Sequence, residues 1–215
     1  MKRLFDFAIS LLALIGLSLF FVLLAIAVKL NSPGPVFYRG VRIGRHGKSF
    51  KIYKFRSMVV DAEKIGAAST SNTDMRVTSV GHFIRKFKFD EFSQLINVFL
   101  GDMSLVGPRP EVQKFVDMYT DEEKIILTVR PGITDWSSIK FHNEGNIIEA
   151  SGISDPDEAY AKLIRPEKLR LQMKYVKERT LWIDIKIIFS TILTIFSTRL
   201  GAGPIGLPAG VRPTD

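Results

Sequence analysis

The chain has 215 residues, which suffices for one domain with a hydrophobic core but not for two substantial domains. It contains no cysteine, so disulfides, thiolate metal sites and a cysteine nucleophile are all excluded. The formal net charge is +8 and 46% of the residues are hydrophobic, with much of the apolar excess near the amino terminus, which indicates membrane attachment.

The first predicted element is a long apolar helix over residues 8–28, which carry no charge and are mostly Leu, Ile, Ala, Val and Phe. At roughly 1.5 Å per residue it would be about 30 Å long, the thickness of a bilayer's hydrocarbon core. Three interpretations compete: a spanning anchor, a cleaved signal peptide, and a helix that enters the membrane and returns to the same side. The length disfavours a signal peptide, whose apolar region has about 7–15 residues.

Basic residues flank this segment on both sides. Lys2 and Arg3 precede it, and the residues from 29 to 60 include no acid and eight basic residues, namely Lys29, Arg39, Arg42, Arg45, Lys48, Lys51, Lys54 and Arg56. Because basic residues prefer the cytoplasm, we predict that the body of the protein is cytoplasmic. If the amino terminus also stays inside, the helix bends back, and Gly16 and Ser18 are the weak points near its middle.

Residues 36–54 alternate apolar and polar side chains around Gly44-Arg45-His46-Gly47, which predicts a β-hairpin with a basic outer face near the lipid headgroups. The stretch 61–74 is polar and weakly patterned, as is typical of a mobile loop. The last residues, 201–215, are rich in Gly and Pro and are expected to be extended or disordered.

Further helices are predicted in the second half of the chain. Apolar residues at helical spacing predict an amphipathic helix with Asp90-Glu91 in its first turn and its end at Gly101. Pro108-Arg109-Pro110 predicts a stiff extended segment. Two more helices are expected near 165–179 and 181–200, and the second is either a core helix or an interfacial one.

Carboxylates and basic side chains concentrate around the start of the first of these helices. Arg85, Lys86 and Lys88 precede the acidic pair, and Arg109 follows it. Phosphoryl transfer needs strong charge neutralisation, which a divalent ion on oxygen ligands and arginines can supply. A carboxylate at a helix N-terminus stays ionised and can serve as ion ligand or nucleophile, although acids there are also common caps.

Four blocks of sequence carry a resemblance to a known family. They are K-R-L-F-D-F at 2–7, F-K-I-Y-K-F-R-S-M at 50–58, D-E-F-S-Q-L-I-N-V-F-L-G-D-M-S-L-V-G-P-R-P-E at 90–111, and V-R-P-G-I-T at 129–134. Their content and order resemble the bacterial sugar transferases, the monotopic polyprenyl-phosphate phosphoglycosyl transferases. The resemblance extends from residue 2 to about residue 200.

The resemblance implies a reaction and assigns residues to it. Asp90 would attack the β-phosphate of a UDP-sugar, release UMP, and hold the phosphosugar until polyprenyl phosphate accepts it. Asp90 would also bind Mg²⁺, and Glu91 would assist in metal or proton handling. Phosphate or substrate binding is expected of Arg109, Arg85, Arg130, Trp136, Lys54 and Arg56. For Lys54 and Arg56, a solvated hairpin face is an open alternative.

Two departures from the family pattern affect these expectations. Ser18 is followed by Leu19, where small members often have proline, so re-entry would rely on other features. Asp135 precedes Trp136 where many members have glycine, and the following residues also differ, so the sugar is not predicted. Since few residues precede the apolar segment, a minimal catalytic form is expected.

Together these features predict an α+β, mainly helical protein with a membrane-embedded, re-entrant helix over 1–30, and a catalytic domain with amphipathic interfacial helices over 31–200. The expected location is the cytoplasmic face of a bacterial inner membrane, with UDP-sugar, polyprenyl phosphate and membrane lipids as partners. The alternative is a non-catalytic scaffold that binds anionic lipid and does not need Asp90. Nucleic acid is not an expected partner, because the basic cluster lacks a recognition motif.

Overall fold

A computed structural model describes residues 1–65, 74–199 and 207. The α-helices of this part are, in chain order, α1 (Lys2–Gly16), α2 (Ser18–Asn31), α3 (Ala62–Ile65), α4 (Ser79–Lys86), α5 (Gln94–Leu100), α6 (Gln113–Val116), α7 (Trp136–Lys140), α8 (Glu144–Ala150), α9 (Pro156–Ala159), α10 (Arg165–Glu178) and α11 (Leu181–Arg199). The strands are β1 (Phe37–Tyr38), β2 (Val41–Ile43), β3 (Ser49–Lys51), β4 (Lys54–Phe55), β5 (Ser104–Val106) and β6 (Gly132–Thr134). Helix dominates and the strands are short, which confirms a mainly helical α+β fold.

The predicted apolar helix is a bent pair, with α1 and α2 meeting at 64°. The break falls on Leu17, between the two predicted weak points Gly16 and Ser18, because glycine is a poor helix former and the helical dihedrals lapse at Leu17. Within the described residues, no single helix is long and apolar enough to cross a membrane, but this pair together meets that test. Its apolar side chains are widely exposed, with Leu19 at 71%.

Polar residues at the start of α1 fix the bent pair to the rest of the protein. The buried carboxylate of Asp6 accepts hydrogen bonds from Ser104 Oγ at 2.7 Å and from the Leu105 amide at 3.2 Å. Lys2 Nζ lies 2.6 Å from the carboxylate of Asp184 on α11. Arg3 donates to the carbonyls of Val98 and Phe99 at the C-terminal end of α5, where the helix dipole favours a cation.

The predicted helix at Asp90-Glu91 begins later than expected. Residues Phe89–Glu91 form a 3₁₀ turn, and α5 starts only at Gln94. The reason is tertiary: Lys88 has a positive φ of 57°, and the ring of Phe89 packs at 5.0 Å against Phe20 of α2. The predicted end is correct, since Gly101 adopts a φ of 99° that favours glycine.

The sheets place two of the site segments. Strands β2 and β3 pair antiparallel around a 3₁₀ turn at Arg45–Gly47, and β1 pairs antiparallel with β4, which carries Lys54. Strands β5 and β6 are parallel, and the Pro108-Arg109-Pro110 segment follows β5 without regular structure. The predicted proline-flanked segment therefore leaves the sheet and carries Arg109 to Glu91.

The main core lies where β5, β6, α5, α7, α10 and α11 meet, and it contains Val98, Met103, Leu105, Trp136, Leu171, Tyr175 and Ile187. Helices α10 and α11 confirm the predictions near 165–179 and 181–200. Helix α11 buries Ile187 in this core, while Trp182 and Phe189 on its other side are each 64% exposed. One side of α11 is therefore a core face, and the other is an exposed apolar face.

Two predicted irregular segments are only partly described. In the predicted loop 61–74, residues Ala62–Ile65 form the short helix α3, which was not expected, and 66–73 lie outside the described residues. Of the predicted tail 201–215, only Leu207 is described, and it packs against the main core.

Candidate active site

Four charged side chains from three segments meet at the turn before α5. Lys54 Nζ lies 3.6 Å from Asp90 Oδ2 and 3.0 Å from Glu91 Oε1. Arg109 donates from Nη1 to Glu91 Oε2 at 2.9 Å and from Nη2 to Glu91 Oε1. The sequence separations are 37 and 18 residues, so the fold brings these groups together. Two acids and two bases thus form one balanced cluster.

Glu91 is the central acceptor of this cluster. Burial acts to raise the pKa of its carboxyl, but the charges of Arg109 and Lys54 outweigh burial and hold that pKa well below its ordinary value. The charge of Glu91 in turn raises the pKa of Arg109. Glu91 is therefore an ionised anchor that holds two cations beside Asp90, and a carboxylate in this state has no proton to donate near neutral pH.

Asp90 differs from Glu91 in its hydrogen bonding. Asp90 is 8% exposed, and within the described part of the chain no group donates a hydrogen bond to its buried Oδ1. An orphaned carboxylate oxygen is costly in a folded protein. Because Glu111 Oε2 and Asp135 Oδ2 are also buried without a partner, what distinguishes Asp90 is its place beside Lys54 and the Glu91–Arg109 pair. Oδ1 is free to act as a nucleophile or as an ion ligand.

The site offers a magnesium ion one protein ligand, the carboxylate of Asp90. No group of three or more His, Cys, Asp or Glu residues with metal-binding geometry occurs among the described residues. Mg²⁺ commonly takes only one or two carboxylates and completes its shell with substrate phosphates and water. Because Asp90 Oδ1 has no partner while both oxygens of Glu91 are engaged, the site fits Mg²⁺ through Asp90.

The structure brings Lys54 and Arg109 to Asp90, but it places other candidate residues elsewhere. Arg56 is 5% exposed, and its guanidinium donates to the carbonyls of Ser32 at 2.7 Å and Pro33 at 2.6 Å. It therefore fastens the turn after α2, contrary to the expectation that it meets phosphate or headgroups, because this turn engages its donors. Trp136 is 7% exposed in the main core, so its ring does not offer a free stacking face to a nucleotide.

Arg130 and Arg85 are also apart from the cluster. Arg130 Nε donates to the carbonyl of Gly101 at 2.9 Å, at the end of α5 that is opposite to Asp90. Arg85 is half-buried in the last turn of α4, and no described hydrogen bond or ion pair joins it to Asp90 or Glu91.

A supporting network near Arg109 was missed by the sequence reasoning. Glu111 is buried and accepts a hydrogen bond from the hydroxyl of Tyr160, which in turn accepts from Lys168 Nζ at 2.8 Å. Lys168 also lies 3.3 Å from Glu111. The network fixes the segment two residues beyond Arg109. The sequence shows a glutamate directly after Pro110, but the partners of this glutamate, Tyr160 and Lys168, are distant in sequence and could not be predicted.

Comparisons with known proteins identify a family for this chain. A profile of the family described as "Bacterial sugar transferase" matches residues 1–198. The chain is 38% identical to the UDP-N-acetylgalactosamine-undecaprenyl-phosphate N-acetylgalactosaminephosphotransferase of Aeromonas hydrophila, over 91% of this chain and 44% of that protein. It is 37% identical to the UDP-glucose:undecaprenyl-phosphate glucose-1-phosphate transferase of Escherichia coli K12, over 91% of this chain and 40% of that protein.

The chain thus spans less than half the length of these two relatives. A shorter relative, an uncharacterized sugar transferase of Bacillus subtilis, is 33% identical over 89% of this chain and 85% of its own length. Because the family profile matches nearly the whole chain, the chain belongs to the bacterial sugar transferase family.

Proposed function

We propose that this chain transfers a phosphosugar from a UDP-sugar to polyprenyl phosphate, such as undecaprenyl phosphate, giving polyprenyl-diphosphate-sugar and UMP. The observation that carries the proposal is the buried Asp90, with an uncommitted Oδ1 beside Lys54 and the Glu91–Arg109 pair. Two relatives are named as UDP-sugar phosphotransferases that act on undecaprenyl phosphate, which supports these substrate classes.

In the proposed first step, a carboxylate oxygen of Asp90 forms a bond with the β-phosphorus of the UDP-sugar. The bond from that phosphorus to the oxygen that bridges the two phosphates breaks, and its electron pair leaves with UMP. The phosphosugar then remains on Asp90 as a mixed anhydride. Covalent catalysis of this kind divides one difficult transfer into two easier ones.

In the second step, a phosphate oxygen of polyprenyl phosphate attacks the same phosphorus. The bond to Asp90 breaks, the carboxylate is regenerated, and polyprenyl-diphosphate-sugar leaves. No net proton transfer is needed in either displacement when UMP leaves as an anion. This agrees with a Glu91 that is held ionised and positions cations instead of donating a proton.

Positive charge is needed where the diphosphate would lie. Lys54 and Arg109 are oriented by Glu91, so their remaining donors can meet phosphate oxygens without reorganisation at the moment of reaction. When bound at Asp90 Oδ1, Mg²⁺ would neutralise charge on the diphosphate and favour departure of UMP. The lysine and arginine cations thereby complement a single ion.

The proposed location is the cytoplasmic face of a bacterial inner membrane, with α1 and α2 entering and leaving on one side. Exposed apolar side chains on α1, α2 and α11 support contact with lipid. Basic residues at both ends of the bent pair support a cytoplasmic position for each end. A lipid-linked acceptor could then reach Asp90 without leaving the bilayer.

The deciding measurement is UMP release from a panel of UDP-sugars by the full chain, with polyprenyl phosphate and Mg²⁺ present. Asp90→Asn removes the nucleophile and should abolish release, whereas the matched control Asp117→Asn alters an exposed aspartate and should leave it unchanged. EDTA should stop release and added Mg²⁺ should restore it. Equal release by the wild type and Asp90→Asn would refute the role of Asp90, and silence of the wild type across the panel would favour the scaffold alternative.

A further inference from the structure

A second charged site lies at the base of α1, away from Asp90. It is a cavity of about 190 Å³ with one acidic and five basic side chains among its lining residues. The basic ones are Lys2, Arg3, Arg45, Arg130 and Arg179, and the acidic one is Asp6. This surplus of positive charge contrasts with the balanced cluster at Asp90.

The acidic and hydroxyl groups at the cavity are already hydrogen-bonded. Asp6 accepts from Ser104 and Leu105, and the hydroxyl of Tyr175 bonds to the Val106 carbonyl at 3.1 Å and to Asp184 at 2.7 Å. Lys2 lies 2.6 Å from Asp184 and 3.9 Å from Asp6, and Arg3 is bound to the end of α5. Among the described residues, no acid forms an ion pair with the three remaining arginines of the cavity.

Three arginines that line the cavity have donor groups without a hydrogen-bond acceptor among the described residues. Arg45 donates from Nε to the Thr128 carbonyl at 3.1 Å, and Arg130 donates from Nε to the Gly101 carbonyl at 2.9 Å. Among the described residues, none accepts from the Nη groups of these two arginines or from any nitrogen of Arg179. A single Nε contact fixes the direction of a guanidinium while leaving its two-pronged end available. Such ends match the oxygens of a phosphate group.

Position and size separate this cavity from the Asp90 site. Arg130 and Arg3 bind the C-terminal end of α5, whereas Asp90 precedes its N-terminal end. The seven residues of α5 alone span about 10 Å. A volume near 190 Å³ is also below the roughly 300–1,000 Å³ of sites that enclose a drug-sized ligand. The cavity is therefore large enough for a phosphate group and lies apart from the Asp90 site.

We propose that this cavity is a second anion site that binds a phosphate group through Arg45, Arg130 and Arg179. The phosphate can belong to a phospholipid headgroup, because the first residues of α1 line the cavity, or it can be a free phosphate from solution. The proposal does not rest on the transfer reaction and can be tested without turnover.

The test is isothermal titration calorimetry on the full chain in a non-ionic detergent. The probes are inorganic phosphate and dioctanoyl phosphatidylglycerol, each at constant ionic strength. The double variant Arg45→Gln/Arg179→Gln should weaken binding at least about tenfold, since each lost charge-assisted hydrogen bond costs about that much. The matched control Lys48→Gln/Lys177→Gln removes two exposed charges, one near Arg45 in the hairpin and one from the end of α10 just before Arg179, but none from the cavity. Its affinity should stay within about twofold of the wild type.

The two probes distinguish the source of the phosphate. Loss of lipid binding in the cavity variant would assign the site to a headgroup, and loss of inorganic phosphate binding alone would assign it to a soluble phosphate. Equal affinity in the wild type and the cavity variant, equal loss in both double variants, or no binding of either probe to the wild type would overturn the proposal. UMP release by the same preparations reports on the transfer reaction independently, so failure of one proposal is distinguishable from failure of the other.

Discussion

Glu91 and Asp90 are neighbours in sequence with opposite surroundings. Both oxygens of Glu91 are held by Arg109 and Lys54, whereas Oδ1 of Asp90 has no partner among the described residues. Glu91 therefore positions the two cations, and Asp90 keeps a carboxylate oxygen available for the proposed reaction. The family resemblance implied a partnership in metal or proton handling, and the geometry favours the positioning of cations.

Replacing Glu91 by glutamine tests this division. The Glu91→Gln side chain would keep the shape but remove the anion that pairs with Arg109 and leave Lys54 with Asp90 alone. UMP release should therefore fall about 100-fold, the size of losing one preorganised electrostatic contact. The control Glu178→Gln changes an exposed glutamate of α10 and should be silent. Thermal melting of both variants should match the wild type within a few degrees, and full activity of Glu91→Gln would remove Glu91 from the site.

At the scale of elements, the sequence could predict features that depend on local chemistry. The end of α5 at Gly101, the break between Gly16 and Ser18, and the extents of α10 and α11 all follow from residue propensities and spacing. Features that depend on distant packing could not be predicted. Such packing moves Asp90 onto a 3₁₀ turn.

Burial was equally inaccessible to local reasoning. Trp136 and Arg56 carry side chains that often bind nucleotides or phosphate, and Arg56 lies in a block that resembles the family. Only the assembled structure shows that one fills the core and the other fastens a turn. Similarly, the contacts of Lys54 and Arg109 with the acidic pair join segments far apart in sequence, so the resemblance could nominate these residues but not their geometry.

The attachment of α1 to β5 can be tested at Asp6. Asp6→Ala would leave the Ser104 hydroxyl and the Leu105 amide without their acceptor in a buried position, which costs about 3 kcal/mol. The thermal midpoint in detergent should fall by about 6–12 °C for a chain of this size. Asp117→Ala, at an exposed position, should barely change it. An unchanged midpoint in Asp6→Ala would show that α1 is held by other contacts.

Glu167 joins α10 to α7 and provides a pH-dependent contact. Hydrogen bonds, chiefly from Arg170 at 2.6 Å and also from Lys140 at 3.1 Å, lower the pKa of Glu167 to about 2. A lowered carboxyl pKa gives stability that is present above the ordinary value of about 4.3 and is lost as the pH falls toward 2.

Glu167→Gln should therefore destabilise the protein at pH 7 by less than about 1 kcal/mol, because the pair is partly exposed and screened by solvent. The difference in thermal midpoint from the wild type should shrink between about pH 4.5 and 3. Glu149→Gln, an exposed position, should show no such trend. If the difference in thermal midpoint stays the same at low pH, the charge of Glu167 does not contribute to stability.

For the whole molecule, the central prediction is that both ends of the bent pair face the cytoplasm. The chain has no cysteine, so single cysteines can be labelled without background. Suitable positions are an insertion after Met1, Leu30→Cys at 84% exposure, and Leu19→Cys near the bend at 71% exposure. A membrane-impermeant maleimide is the probe.

Re-entry predicts that inside-out vesicles label the insertion and Leu30→Cys, that intact spheroplasts label neither, and that Leu19→Cys reacts only after detergent is added. A spanning helix would instead label the two ends from opposite sides. The 64° bend between α1 and α2 is compatible with either topology, so the labelling pattern decides between them.

The contacts of Arg3 with the carbonyls of Val98 and Phe99 have a consequence for how the enzyme should be handled. They join the bent pair to the C-terminal end of α5, and the opposite end of α5 follows the turn that carries Asp90. With the bent pair in the membrane as proposed, we expect a bilayer of unsuitable thickness to shift α1 and, through α5, Asp90. UMP release should then depend on the acyl-chain length of the lipid or detergent.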